Sequence, residues 1–368
     1  MKIGILTVPF NNNYGGLLQA FALKKVLMEN GHEIVFINRQ RNKGTTLKLR
    51  IYRLLVKVHL IHDFLEENNR RLSVNTDKFR KKYLSPITEP YYNSEDLNKC
   101  LKMGIEAFVV GSDQVWRYEY AEDSICDYYF NFLKRTNIPR YSYAASFGTD
   151  VMDYPVDKIQ TIASLLNDFS GISVREDSAI SLLSNTFAIP KGDIHVVLDP
   201  TLLLAPDVYT KLFKDYSVPA QPYVFSYILD RDIVDDQTVD ALVKDLALIR
   251  VDLRAQTGNT DSIDVIKPVE EWLYSIYNAK YVVTDSFHGT VFSIIFNKPF
   301  VVLANPTRGI TRLSGLLKMF NLEKHLQTSI TNETKEILNE ALDWSDVNSK
   351  LNMLRQESLK FIKEIKAS

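Results

Sequence analysis

Two short stretches carry residue types that suit the binding of an anion. Ser286-Phe-His288-Gly289-Thr290 follows an apolar run at Tyr281–Thr284, and Arg175 follows the apolar run Gly171–Val174. A helix N-terminus presents free N–H groups and positive potential, so Ser286, Gly289 and Thr290 beside His288 predict a phosphate or carboxylate site. An arginine at a strand end can bind an oxyanion through two parallel hydrogen bonds. The alternatives are that His288 only caps a loop and that Arg175 only pairs with Glu176 or Asp177.

Further candidates lie in other polar loops. The turn Asn13-Tyr14-Gly15-Gly16 lets a ligand approach the backbone closely, although it matches neither a dinucleotide nor a Walker fingerprint. Ser112, Asp113, Gln114 and Trp116 follow a predicted strand and carry groups that hold sugars, with Asp113 as a general base. A structural turn with Trp116 in the core is the alternative. Arg308 and Arg312 follow the last predicted strand and could complete an anion site, or lie on the surface.

The pattern of elements predicts how these loops meet. Apolar strand-like runs alternate with helical patterns along the chain, which is typical of parallel sheets. Because ligands bind beyond the carboxyl ends of parallel strands, the polar loops should share one crevice. We expect a helical turn to begin near Leu17 after the first strand and near Thr290 after the strand at Tyr281–Thr284. Asp199-Pro200 is predicted to be a simple turn.

Length and composition bound the class of protein. The chain has 368 residues with 45% hydrophobic and 24% charged residues, which suits two globular domains. A formal net charge of −1 gives no overall indication of nucleic-acid binding. Two cysteines and six scattered histidines without a ligand motif predict neither a disulfide framework nor a metal site. The short apolar N-terminus predicts a strand and not a signal peptide, so we expect a cytoplasmic protein.

A basic segment spans residues 39–82, with thirteen Lys or Arg against four Asp or Glu. It lies in a helical elaboration over about 39–100, and part of it has an amphipathic pattern. Such a pattern predicts either an ordinary solvated helix with a core face or peripheral contact with the inner membrane face.

An ordered set of sequence blocks resembles one family. The blocks are NNNYGGLLQA, VVGSDQVW, SYAASFG, SVRE, LDPTLLL and VVTDSFHGTVFSIIFNKPFVVL, and the resemblance runs from Met1 to about Leu317. In this order they are similar to the polysaccharide pyruvyl transferases. The resemblance implies an α/β, GT-B-like fold of two Rossmann-type domains with parallel sheets facing a central cleft. We place these domains at 1–204 and 205–345, followed by a C-terminal helix at 346–368.

The resemblance also implies an activity. Such enzymes move the enolpyruvyl group of phosphoenolpyruvate onto a hexose of a bacterial surface polysaccharide, or of its lipid-linked oligosaccharide precursor. The product is a pyruvate ketal, and phosphate is released. The family's essential arginine and histidine match Arg175 and His288, while Asp113 or Asp285 is a candidate base and no cofactor is implied. The alternatives are a nucleotide-sugar glycosyltransferase of the same fold and a non-catalytic glycan-binding protein.

Overall fold

A computed structural model gives the architecture. It describes residues 1–10, 12–40, 64–217, 221–230, 234–253, 266–305 and 309–367. Two parallel sheets dominate these residues, one of six strands and one of five. No helix in the described ranges is both long and apolar enough to cross a membrane. The predicted α/β architecture with two parallel sheets is confirmed.

The first sheet has the strand order β2-β1-β3-β4-β5-β6. Its strands are β1 (Lys2–Leu6), β2 (Glu33–Ile37), β3 (Ala107–Val110), β4 (Arg140–Ala145), β5 (Gly171–Val174) and β6 (Ile194–Val196). Strands β3 and β4 are buried along their whole length, as expected of parallel strands covered on both faces. The carboxyl ends of β3, β4, β5 and β6 therefore form one continuous edge.

The second sheet has the order β11-β10-β9-β7-β8. Its strands are β7 (Tyr223–Tyr227), β8 (Ile249–Asp252), β9 (Tyr281–Thr284), β10 (Phe300–Leu303) and β11 (Leu326–Gln327). The apolar runs at Gly171–Val174 and Tyr281–Thr284 match the bounds of β5 and β9. Strand β11 was not predicted, because two residues give no periodicity.

Helices cover both sheets. The α-helices are α1 (Tyr14–Glu29), α2 (Phe64–Phe79), α3 (Ser94–Leu97), α4 (Tyr118–Ala121), α5 (Val156–Leu166), α6 (Ser178–Phe187), α7 (Pro200–Leu203), α8 (Pro206–Thr210), α9 (Asp236–Asp245), α10 (Val269–Asn278), α11 (Phe287–Ile295), α12 (Ile310–Met319), α13 (Asn332–Asn339) and α14 (Trp344–Glu364). A π-helical turn spans Arg80–Leu84. Short 3₁₀ segments span Asn98–Lys102, Glu122–Tyr129, Asn131–Leu133, Lys191–Asp193, Lys211–Phe213 and Glu323–His325.

Helix α14 returns to the first sheet. The backbone N–H of Leu198 donates to the Ser358 hydroxyl at 2.9 Å. The Phe361 ring lies 6.2 Å from that of Tyr143 on β4 and 5.3 Å from that of His195 on β6. The last helix thus packs behind the strands whose ends carry the site.

Two helices begin earlier than the sequence predicts. Helix α1 starts at Tyr14, because the Asn13 side chain accepts a hydrogen bond from the Gly16 N–H and caps the helix. Helix α11 starts at Phe287, capped in the same way by Ser286 accepting from the Gly289 N–H. Capping by these polar side chains extends each helix into what was predicted as a turn. His288 therefore lies in the first turn of a helix.

The sheets meet through α1, α10 and α11. Tyr14 of α1 is buried, stacks on Trp272 of α10 at 5.4 Å between ring centroids, and donates its hydroxyl to the Lys267 carbonyl at 2.9 Å. One large apolar core runs from the first sheet through these helices to the second. The amino end of α11 consequently faces the carboxyl edge of the first sheet.

Candidate functional site

A buried carboxylate joins the two sequence-predicted residues of the site. Asp199 follows β6, and its Oδ2 atom lies 3.1 Å from Nη1 of Arg175, which follows β5. The same oxygen lies 3.6 Å from Nε2 of His288 in α11. Arg175 and His288, which are 113 positions apart in sequence, thus approach one oxygen atom. The crevice predicted from the strand ends brings together both residues.

Asp199 is held firmly. Its Oδ1 atom accepts hydrogen bonds from the Thr201 N–H at 3.0 Å and from the Thr201 hydroxyl at 2.6 Å. Its Oδ2 atom also accepts from the Ser112 hydroxyl at 3.0 Å. Burial alone would raise the pKa of Asp199, but His288 and Arg175 outweigh burial and hold that pKa well below its usual range. Asp199 is therefore a fixed negative charge between the guanidinium and the imidazole.

The Arg175 guanidinium is surrounded by further groups. It lies over the Phe287 ring at 4.1 Å from the centroid. Its Nε is 3.6 Å from Glu176 Oε2, and its Nη2 is 3.9 Å from Asp113 Oδ1. The nearby carboxylates raise the pKa of Arg175 against the opposing effect of burial. Arg175 is held in place by charge and by an aromatic face.

Gly15 makes room for His288. A Cβ atom at Gly15 would lie 2.0 Å from Nδ1 of His288 and 2.3 Å from its Cγ. No side chain can occupy that space without moving the imidazole. This contact explains why the first turn of α1 carries a glycine beneath the amino end of α11.

A cavity of about 210 Å³ opens beside Arg175. We call it the arginine cavity; its lining includes Arg175, Glu176, Asp199, Phe287, Thr311, Arg312 and Lys318. His288 is not among the lining residues, but its Nε2 atom lies 3.6 Å from Oδ2 of Asp199, which lines the cavity. Burial, together with the charge of Arg175, lowers the pKa of Arg312 to about 10. Two buried guanidinium groups therefore share one small cavity.

The family-level comparison agrees with this geometry. A model of the family described as polysaccharide pyruvyl transferase matches residues 13–307, which include Arg175, Asp199 and His288. The chain belongs to the polysaccharide pyruvyl transferase family. No curated protein sequence matches the chain.

Solved structures similar to this pyruvyl transferase family member share its fold. UDP-N-acetylglucosamine 2-epimerase from Rickettsia bellii is 11% identical with a TM-score of 0.54, over 99% of this chain and 96% of that one. UDP-GlcNAc 2-epimerase from Methanocaldococcus jannaschii, in complex with UDP-GlcNAc and UDP, is 11% identical with a TM-score of 0.50, over 99% of each chain. Spinosyn forosaminyltransferase SpnP is 11% identical with a TM-score of 0.50, over 98% and 95%. These likenesses establish the GT-B fold.

Several predicted site residues of this family member have structural contacts. Trp116 has no exposed surface and stacks on Tyr129 at 5.0 Å, so it belongs to the core and not to a sugar-binding wall. Tyr14 packs between the sheets as described above. Thr290 is buried and donates its hydroxyl to the Ser286 carbonyl at 3.0 Å. These side chains position the helices and do not line the arginine cavity.

The predicted base Asp285 also has structural partners. Its two carboxylate oxygens accept the N–H groups of Leu229 at 2.7 Å and Asp230 at 3.1 Å. It therefore ties the loop after β7 to the end of β9. Asp113 is the predicted base that reaches the site, since it lies beside Arg175. Arg308 lies outside the described residues, as do residues 41–63 of the basic segment.

Sequence reasoning missed Asp199 and Phe287. Asp199 was predicted to be a turn residue, because Asp-Pro is a common turn. Its position directly after β6, next to the end of β5, was the available signal. Phe287 carried no signal of its own, since an aromatic residue beside a histidine is compatible with simple packing. The contact with Arg175 depends on the angle at which α11 meets the first sheet.

Proposed function

We propose that this chain transfers the enolpyruvyl group of phosphoenolpyruvate to a sugar and releases phosphate. The arginine cavity takes the donor. Arg175 and Arg312 bind its phosphate and carboxylate, and His288 supplies the proton that the reaction needs. The product is a pyruvate ketal on a hexose of a surface polysaccharide or of its precursor.

The observation that carries this proposal is a set of buried nitrogen atoms that face carboxylate oxygens at 3.6–3.9 Å without completing hydrogen bonds to them. Nε and Nη2 of Arg175 and Nε2 of His288 are buried, and within the described part of the chain they have no hydrogen-bond partner. Buried polar groups without partners are uncommon, and they are frequent where a ligand completes the site. The arrangement supports an anionic ligand with several acceptor oxygens.

The cavity also suits a small donor. Its volume of about 210 Å³ is below the roughly 300–1,000 Å³ of sites for drug-sized ligands. Burial and the charge of Arg175 lower the pKa of Arg312, and an anion between the two guanidinium groups would relieve their repulsion. Phosphoenolpyruvate carries its carboxylate and its phosphate on the same carbon atom, C2. It therefore matches both the size of the cavity and its pair of guanidinium groups.

The chemistry follows from this placement. His288 donates a proton to the methylene carbon, which becomes a methyl group and leaves an oxocarbenium-like centre at C2. A sugar hydroxyl attacks C2 and loses its proton to a base, for which Asp113 is placed. A second hydroxyl then attacks C2, the C2–O bond to phosphate breaks, and the ketal closes as the proton of this hydroxyl passes to the departing phosphate. The guanidinium groups stabilise charge as the phosphate leaves.

A phosphate-release assay tests the proposal. Purified protein is incubated with phosphoenolpyruvate and a panel of galactosides, glucosides and mannosamine derivatives. We expect release with at least one acceptor, and a kcat lowered by about 100-fold or more in His288→Gln with little change in the KM for phosphoenolpyruvate. Wild-type-like turnover in that variant would remove His288 from the mechanism. Absence of release with every acceptor would contradict the proposed reaction.

A further inference from the structure

A second cavity lies next to the arginine cavity. Its volume is about 140 Å³, and we call it the Tyr120 pocket. Polar lining comes from Asn13, Asp113, Gln114 and Tyr120, and the remainder from Gly16, Leu17 and residues 8–10. It sits where the end of β3 faces the start of α1. Nothing in the donor chemistry above uses it.

Asp113 links the Tyr120 pocket to the arginine cavity through its contact with Arg175. This residue borders the Tyr120 pocket, and its Oδ1 lies 3.9 Å from Nη2 of Arg175. Its backbone has a φ of 71°, which costs free energy for a residue with a side chain. Hydrogen bonds from the Val115 and Ser146 N–H groups to the Asp113 carbonyl, at 2.8 and 3.1 Å, hold it there. A molecule in the Tyr120 pocket would have Asp113 between itself and the donor.

The polar groups of the Tyr120 pocket differ in kind from those of the arginine cavity. The described lining offers one carboxylate, two carboxamides and a phenol, and none of its side chains is cationic. The nearby Arg117 already pairs with Glu119 at 2.6 Å and donates to Gln114 Oε1 at 2.8 Å. Amides and a phenol can both donate to and accept from hydroxyl groups. An anion would gain no opposite charge there, so the pocket favours an uncharged, hydroxyl-rich ligand.

Tyr120 adds an aromatic face to the apolar surface that Val8, Pro9, Phe10 and Leu17 provide. Its ring is 37% exposed, and the Arg117 guanidinium lies 4.7 Å from the ring centroid. An aromatic ring fixed in this way can pack against the C–H face of a pyranose, while the amides take its hydroxyls. Gly148 leaves room for the Gln114 side chain, since a Cβ there would lie 2.2 Å from Gln114 Oε1.

Resting on the proposed function, we propose that the Tyr120 pocket binds the acceptor as a neutral pyranoside. The Tyr120 ring contacts the sugar face, Asn13 and Gln114 hydrogen-bond to hydroxyls, and Asp113 accepts the proton of the attacking hydroxyl. The donor and acceptor then occupy opposite sides of one carboxylate. Tyr120 is a specificity residue for the sugar and has no part in donor binding.

The test measures sugar binding without any donor. Saturation-transfer NMR is recorded with methyl β-D-galactopyranoside, methyl β-D-glucopyranoside and a methyl N-acetylmannosaminide, and with methyl β-D-glucuronide as the anionic counterpart. We expect saturation of at least one neutral glycoside and little of the glucuronide. In Tyr120→Ala the affinity should fall about tenfold, which corresponds to one stacking contact. Tyr92→Ala is the matched control, because Tyr92 is 38% exposed and lies in a different loop.

The outcomes separate this inference from the proposed function. Three outcomes would each overturn the pocket assignment. None of the three neutral glycosides gives a signal, or the glucuronide binds equally well. The third is a loss of affinity in Tyr92→Ala equal to that in Tyr120→Ala. Phosphate release from phosphoenolpyruvate is measured independently on the same proteins. If phosphate is released but the affinity for glycosides is the same in wild type and in Tyr120→Ala, only the pocket assignment is overturned. Tyr120-dependent glycoside binding without any release would support the pocket and contradict the reaction.

Discussion

The arginine cavity, lined by Arg175, and the Tyr120 pocket, lined by Asp113, are joined by the contact between these two residues but are built differently. Beside the first, the side chains of Arg175, Asp199 and His288 are almost wholly buried and contact one another. Around the second, Gln114 is half-buried and Tyr120 is partly exposed. An anionic donor requires charges whose positions are set before it binds. A neutral acceptor requires only shape and hydrogen bonds, so its pocket can lie at the surface.

The largest expected effect comes from removing the charge at the centre of the buried network. Asp199→Asn keeps the shape but leaves Arg175 without its closest carboxylate, and breaking such a buried pair costs about 3–5 kcal/mol of unfolding free energy. Because the pKa of Asp199 is depressed, its ionised form stabilises the fold above about pH 4, the usual Asp pKa, and this stability is lost as the pH falls further.

Urea unfolding at several pH values checks this prediction. The difference in unfolding free energy between wild type and Asp199→Asn should reach its maximum above about pH 5 and should decrease below about pH 4. A difference that stays constant down to pH 3 would contradict a stabilising charge at Asp199. Asp207→Asn is a suitable control, since Asp207 is exposed and pairs only with Lys211 in the same helical region.

A smaller effect is expected from a single methyl group at Gly15. Gly15→Ala places a Cβ against the His288 ring, and a displacement of about 1 Å at a reacting group can lower the rate about 100-fold. Gly192→Ala is the control, because a Cβ there would meet nothing within 4 Å among the described residues and Gly192 lines neither cavity. Phosphate release from phosphoenolpyruvate is measured for both. Equal rates in the two variants would show that the imidazole position does not matter.

The smallest expected effects come from removing one cation–π contact in each region and comparing the losses of stability. Phe287→Leu removes the ring beneath Arg175, and Tyr120→Leu removes the ring beneath Arg117. The buried contact should be worth about 2 kcal/mol and the exposed one about 0.5–1 kcal/mol. Urea midpoints of the two variants give the comparison. A larger loss in Tyr120→Leu would reverse the proposed contrast between the regions.

The sequence carried enough to predict the sheets and the main pair of residues. Buried parallel strands such as Ala107–Val110 are uninterrupted apolar runs with polar loops after them, and the edge they form follows from the parallel topology. Arg175 and His288 could be placed at strand ends in this way. Helix starts were less predictable. Asn13 and Ser286 cap their helices, but the glycines that follow them in sequence are more typical of a loop than of a first helical turn.

Contacts across the two sheets could not be predicted. Three of these contacts depend on how α11 and the aromatic core pack. They are the distance between Asp199 and His288, the contact of the His288 imidazole with Gly15, and the burial of Trp116 in the core. Such packing joins residues far apart in the chain and leaves no local periodicity. Tyr120 was missed for the same reason, since its pocket exists only where β3 meets α1.

Donor binding by the buried guanidinium groups tests the central claim most directly. Thermal unfolding is followed with phosphoenolpyruvate, with UDP and without ligand, for wild type and for Arg175→Lys, which keeps the charge but loses the forked geometry. We predict that phosphoenolpyruvate raises the melting temperature of wild type, that it has much less effect on Arg175→Lys, and that UDP raises neither. Stabilisation by UDP alone, or equal stabilisation of both proteins by phosphoenolpyruvate, would contradict the account.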